Sequence, residues 1–194
     1  DELMPRYLRF VRGVIDCADL PLNVSREILQ QDRNIETLRS AAVKRVLDGL
    51  ERLAKDAPED YAHFWKTFGR VLKEGIIEDP ANRERIARLL RFSSTKAEQG
   101  EATVSLEDYL GRMGEAREHI YYICAESHDM ARHSPHLEVF RERDIEVLLM
   151  SEPVDEWLVG HLAEFEGKSL KSVTQGDIEL GDKPAGEAEE ADSG

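Results

Sequence analysis

The residues best placed to do chemistry gather on one loop-to-helix passage, Leu20-Pro21-Leu22-Asn23-Val24-Ser25-Arg26-Glu27-Ile28-Leu29-Gln30-Gln31. Asn23 or Ser25 can cap the helix that follows, which puts Arg26 in its first turn and Gln30 one turn later on the same face. A guanidinium there sits beside the positive end of the helix dipole with its donors facing outward, a natural meeting place for a phosphate. A plainer arrangement uses the same residues: Arg26 pairs with a nearby acid and Gln30 is solvated. Spacing alone favours the plainer arrangement, because arginines near helix starts are common.

The other reactive side chains are more scattered. His128, His133 and His136 are close in sequence, but a metal site needs a fuller ligand set, and Pro135 interrupts the helix between two of them. They read as surface histidines, with no metal expected. Gly111-Arg112-Met113-Gly114 and the glycines from Gly176 to Gly181 are too sparse for a phosphate loop, and no Walker lysine, GxSxG or HExxH motif is present. Glu126 and Glu152 each follow an apolar run that would end at the carboxyl edge of a sheet, where α/β folds place ligands. Neither has an obvious partner in the sequence.

The elements that must position these groups follow from periodicity. Leu8 to Ile15 is rich in β-branched and aromatic residues and reads as a strand. From about Ser25 the apolar positions Ile28, Ile35, Leu38, Ala42, Val46, Leu50 and Leu53 predict a long amphipathic helix ending near Pro58. Helices are expected over Glu59 to Glu74 and Ala81 to Phe92, with Gly75 and Pro80 between them, and then an exposed loop from Ser93 to Val104. Ser105 opens the next helix, with Asp108 three residues on to close a capping box.

A strand at His119 to Cys124, a helical region from Ser127 to Arg143, an apolar run at Glu146 to Met150, a helix from Pro153 and a strand near Leu170 to Val173 then alternate. That order predicts a small, mainly parallel α/β layer. The segment from Gly181, carrying Asp182, Glu187, Glu189, Glu190 and Asp192 against Lys183, reads as an acidic linker or tail.

The chain has 194 residues, 34% of them charged, and a net charge of -14, which disfavours nucleic-acid and membrane-surface partners because both need clustered basic charge. No apolar run approaches the about 20 residues of a membrane span. Two cysteines far apart, Cys17 and Cys124, suggest neither a disulfide framework nor zinc. A cytoplasmic setting fits this composition, and the start at Asp1 fits a piece of something larger.

The stretch Asp1 to Asp16, continuing through Asp19 to Gln30, resembles the middle domain of the heat-shock protein 90 family in its bacterial form. Further matches are Arg91-Phe92-Ser93-Ser94-Thr95-Lys96, Ile120-Tyr121-Tyr122-Ile123, Glu126-Ser127, Glu146-Val147-Leu148, Pro153-Val154-Asp155-Glu156-Trp157 and Phe165-Glu166-Gly167-Lys168. The resemblance implies an α+β or α/β fold: the end of a first α/β subdomain and its catalytic loop over 1–24, a long helix with a small helical coil over 25–104, a small α/β subdomain over 105–180, and the acidic linker over 181–194.

It also implies roles. Arg26 would contact the γ-phosphate of ATP, with Gln30 supporting it, while ATP and its Mg2+ are held mainly by a preceding N-terminal ATPase domain. Glu156 and Trp157 would form part of the surface that contacts unfolded or partly folded client proteins, and a following C-terminal domain would make the homodimer. The alternatives that the residues leave open are an independent small α/β phosphate-binding or enzyme domain and a helical adaptor working through its long helix.

Overall fold

A computed structural model describes residues 4–14, 33–97, 102–114 and 117–175. Arg26 and Gln30, with Asn23, Ser25 and the acidic segment from Gly181, lie outside the described residues. The described residues divide into two compact units, one within 1–91 together with 154–162, the other within 92–153 together with 163–194.

The first unit is helical. α1 (Arg33–Asp56) buries Val43, Leu47 and Leu50, spaced by four and three residues as one face of a helix requires. α2 (Pro58–Lys73) opens with proline at its first position and Glu59 and Asp60 in its first turn, and closes with Arg70 and Lys73, so both ends complement the helix dipole. Its buried face carries Tyr61, Trp65 and Leu72. α3 (Gly75–Glu78) and α4 (Arg83–Leu89) flank a 3-10 turn at Pro80–Asn82, where the Asp79 side chain accepts from the Asn82 N–H. Arg85 of α4 reaches back to α1, with nitrogens 2.6 Å from Asp48 and 2.9 Å from Glu51.

The strand expected from Leu8 does not form. Arg6–Leu8 is a 3-10 turn and the chain is irregular from Val11 to Val14. β-propensity describes fit to a half-buried sheet and cannot act without a partner strand. Here the competing force is packing. Tyr7 and Leu8 are fully buried, and the Tyr7 hydroxyl donates to the Asp79 carboxylate at 2.7 Å. Gly75 makes this possible, because a Cβ there would lie 2.7 Å from the Tyr7 ring and 2.9 Å from Ile86. Val14 is 96% exposed.

The second unit is built on a five-stranded sheet in the order β1-β3-β2-β5-β4. The strands are β1 (Ser93–Ser94), β2 (His119–Cys124), β3 (Leu148–Met150), β4 (Glu164–Phe165) and β5 (Lys168–Ser172). β2 pairs in parallel with β3 and β5, and the two edge strands run antiparallel. The mixed fold class and mainly parallel interior expected from the alternating elements are both present.

On one side of the sheet Tyr121, Ile123, Leu149 and Val173 pack with Ala131, Leu137, Phe140, Ile145 and Val147. The Tyr121 and Phe140 rings meet edge to face at 4.9 Å. α5 (Leu106–Arg112) begins with the predicted capping box: Ser105 accepts from the Asp108 N–H at 2.9 Å and Asp108 accepts from the Ser105 N–H at 3.0 Å.

Two expectations in this unit need correction. The segment from Ser93 is not an exposed loop at its ends: Ser93 and Ser94 add to β3, and Phe92 and Val104 bridge one another with both side chains buried. The helical region from Ser127 breaks into α6 (His128–Arg132), a 3-10 turn at Pro135–Leu137 and α7 (Glu138–Glu142), because proline cannot donate to the preceding turn. β4 was not anticipated. It is joined to β5 by Glu166 and Gly167, both at positive φ (48° and 77°), the pattern of a two-residue type I′ hairpin.

Candidate functional site

α8 (Pro153–His161) packs with the helical unit and carries both client-surface candidates. Its inner face holds Asp155 and Leu158, continued by Leu162 just beyond the helix, at 1%, 0% and 4% exposure. Glu156, Trp157, Gly160 and His161 face outward. Pro153 at the start presets the first turn, and Asp155 and Glu156 there favour the positive end of the helix dipole. In the last turn the His161 ring nitrogen lies 2.8 Å from the Trp157 carbonyl oxygen.

Trp157 is 67% exposed, so this side chain is not packed into the core of the unit. Large aromatics are rarely left this open in a folded chain, and an exposed indole beside a carboxylate offers apolar area together with a hydrogen-bond donor. Among the described residues the other large exposed apolar side chains are Val14, Met130 and Val139.

What sequence reasoning missed is the anchor under this helix. The Lys73 ammonium lies 2.7 Å from the Asp155 carboxylate, with the two side chains 6% and 1% exposed. A local signal existed. Lys73 follows Trp65, Gly69 and Leu72 on the buried face of α2, where a cation needs a partner. Its partner 82 residues away had no such signal.

In the sheet unit the parallel pairing of Cys124 with Met150 brings Glu126 and Glu152 to the same carboxyl edge. Of His128, His133 and His136, His133 lies 3.1 Å from the Asp129 carboxylate, but among the described residues no group of three or more His, Cys, Asp or Glu could hold a metal ion. The charged face of α1 is knitted to itself and to α4, through Lys44 to Asp48 at 2.8 Å and the two contacts of Arg85. Among the described residues no helix is long and apolar enough to cross a membrane.

Comparison with known proteins decides the family. The family model described as Hsp90 protein matches residues 1–193. The chain belongs to the Hsp90 family. It is 64% identical over 180 residues to the chaperone protein HtpG of Halorhodospira halophila, covering 93% of this chain and 28% of that protein. It is 60% identical over 193 residues to the HtpG of Methylococcus capsulatus, covering 100% of this chain and 30% of that protein.

The HtpG of Shewanella loihica is 60% identical over 182 residues, covering 94% and 28%. This Hsp90-family chain thus spans less than a third of the length of the curated relatives it matches. The family resemblance carried by the segments from Arg91 and Pro153 now has a structural meaning: Phe92 and Ser94 are buried at the edge of the sheet, and Glu156 and Trp157 stand on an open helix face.

Proposed function

We propose that this chain is the middle-region segment of an ATP-driven chaperone, joining a nucleotide-responsive arginine to a surface for unfolded client proteins. The observation that carries the reading is the near-complete match to chaperone relatives at about 60% identity, together with an exposed Trp157 on the open face of α8. In this reading Glu156 and Trp157 receive apolar client segments, the indole supplying contact area and the carboxylate discouraging self-association.

Arg26, supported by Gln30, meets the γ-phosphate of ATP bound with Mg2+ in a preceding domain. A guanidinium is always protonated and matches phosphate oxygens with paired donors, so its arrival favours the state in which charge builds on the phosphate. Both residues lie outside the described residues, and the reading of Arg26 rests on the family match and on the chemistry of the side chain. The whole protein would act in the cytoplasm as a homodimer closed by a following domain.

The deciding experiment mixes this segment with an isolated nucleotide-binding domain of the same family and measures ATP turnover, with Arg26→Ala as the control. Stimulation that depends on Arg26 supports the reading. Stimulation that survives Arg26→Ala, or none at all, overturns the role of the arginine.

A further inference from the structure

Two charges are withdrawn from water where α2 meets α8. Lys73 is the last residue of α2 and Asp155 lies in the first turn of α8, so each charge sits at the end of its own helix where the dipole favours it. The contact of 2.7 Å is that of a charge-assisted hydrogen bond. A buried ion pair of this kind adds little net stability, since well-packed apolar side chains of the same size often do as well. Its distinguishing property is direction.

α8 has nine residues, and its remaining inner anchors are Leu158 and, just after it, Leu162. Apolar burial is non-directional, so two leucines turn this face inward but tolerate small rotations about the helix axis. An ion pair is satisfied only within hydrogen-bond range. Residues two apart on an α-helix point roughly 200° from one another, so fixing Asp155 inward fixes Trp157 outward.

We propose that the Lys73–Asp155 pair is the positioning contact of the client surface: it sets the rotation of α8 and so holds Glu156 and Trp157 in the orientation that receives a client chain. This rests on the reading of Trp157 as a client contact. Lys73 and Asp155 themselves touch no client and act through the helix.

The test uses the full-length protein labelled with 5-fluorotryptophan, the Trp157 fluorine resonance being assigned by its loss in Trp157→Phe. The client probe is reduced, carboxymethylated lactalbumin, which stays unfolded in buffer. Lys73→Ala alone would strand a buried carboxylate and could unfold the region, so the informative variant is the apolar pair Lys73→Met with Asp155→Leu. It is expected to melt close to the parent, to shift or broaden the Trp157 resonance, and to weaken lactalbumin binding about tenfold. Lys73→Arg, which keeps the charge, is expected to retain both signals.

An unmoved Trp157 resonance in a folded Met/Leu variant overturns the proposal. A moved resonance with undiminished lactalbumin binding upholds the positioning role and overturns the client role of Trp157 on which it was built. A purely structural pair would lower the melting temperature without selectively moving Trp157, and that result also counts against positioning.

Discussion

Arg112 holds Glu146 at two points, Nε to Oε2 at 3.0 Å and Nη2 to Oε1 at 2.8 Å, with the carboxylate side chain 5% exposed and the guanidinium 43%. Glu146 also accepts from the Ser94 hydroxyl at 2.6 Å, and its carbonyl accepts from the Tyr109 hydroxyl at 2.7 Å. Glu146, two residues ahead of β3, thus gathers β1 with the middle and the last residue of α5. The edge strand, only two residues long, is tied to this carboxylate through Ser94 as well as paired with β3.

Removing the guanidinium should therefore be costly. Arg112→Ala leaves a buried carboxylate with less compensation and is expected to destabilise the chain by about 2 kcal/mol, below the range for fully buried pairs because water already reaches Arg112. Urea unfolding of the purified segment measures this. A change within about 0.5 kcal/mol would show that water replaces the arginine at no cost.

The imidazole of His119 is held below its ordinary pKa of 6.5, first by burial, then by Lys171 and Lys168, with Glu118 opposing. Its Nδ1 lies 2.7 Å from the Ser169 hydroxyl on the neighbouring strand. The folded state therefore takes up its proton less readily than the unfolded chain. That contribution to stability is fully present above pH 6.5 and declines as the pH falls below it, until the folded imidazole is protonated too. His119→Gln is expected to lessen the loss of stability between about pH 7.5 and about pH 5.5. Parallel urea curves at the two pH values check it, and an unaltered loss would mean that other groups carry the whole dependence.

Trp157→Ala should separate stability from binding. With most of the side chain in water, the substitution is expected to change unfolding free energy by no more than about 0.5 kcal/mol. Crosslinking from position 157 of the full-length protein to an unfolded client is expected to exceed that from a remote surface position. Equal capture at both would remove Trp157 from the client surface.

Arg26→Ala in the full-length protein is expected to lower ATP turnover by roughly tenfold or more, about 1.4 kcal/mol of barrier, while nucleotide affinity stays largely intact. Steady-state turnover and equilibrium nucleotide binding, measured side by side, distinguish the two. A loss confined to affinity would place the arginine in ground-state binding, and unchanged turnover would remove it from the chemistry.

Some of this was legible in the chain because it is local. The α2 helix shows itself in Pro58, its acids and its closing cations within sixteen residues. The capping box needs only Ser105 and Asp108, three apart, and β2 and β3 announce themselves as compact apolar runs. The family, too, is written in contiguous motifs. What tertiary structure alone decided is which residues meet across long stretches of chain: whether Leu8 finds a strand partner or a helical pocket, that Ser93 and Ser94 pair with β3, and that Lys73 meets Asp155.

Each of those outcomes depends on ladder bonds, pocket space or a buried counter-charge supplied from far away, and local propensity carries no information about them. Trp157 is the clearest case. Nothing in its own stretch of sequence fixes whether it faces core or surface, and only the fold shows it exposed, two residues beyond an Asp155 that turns inward to Lys73.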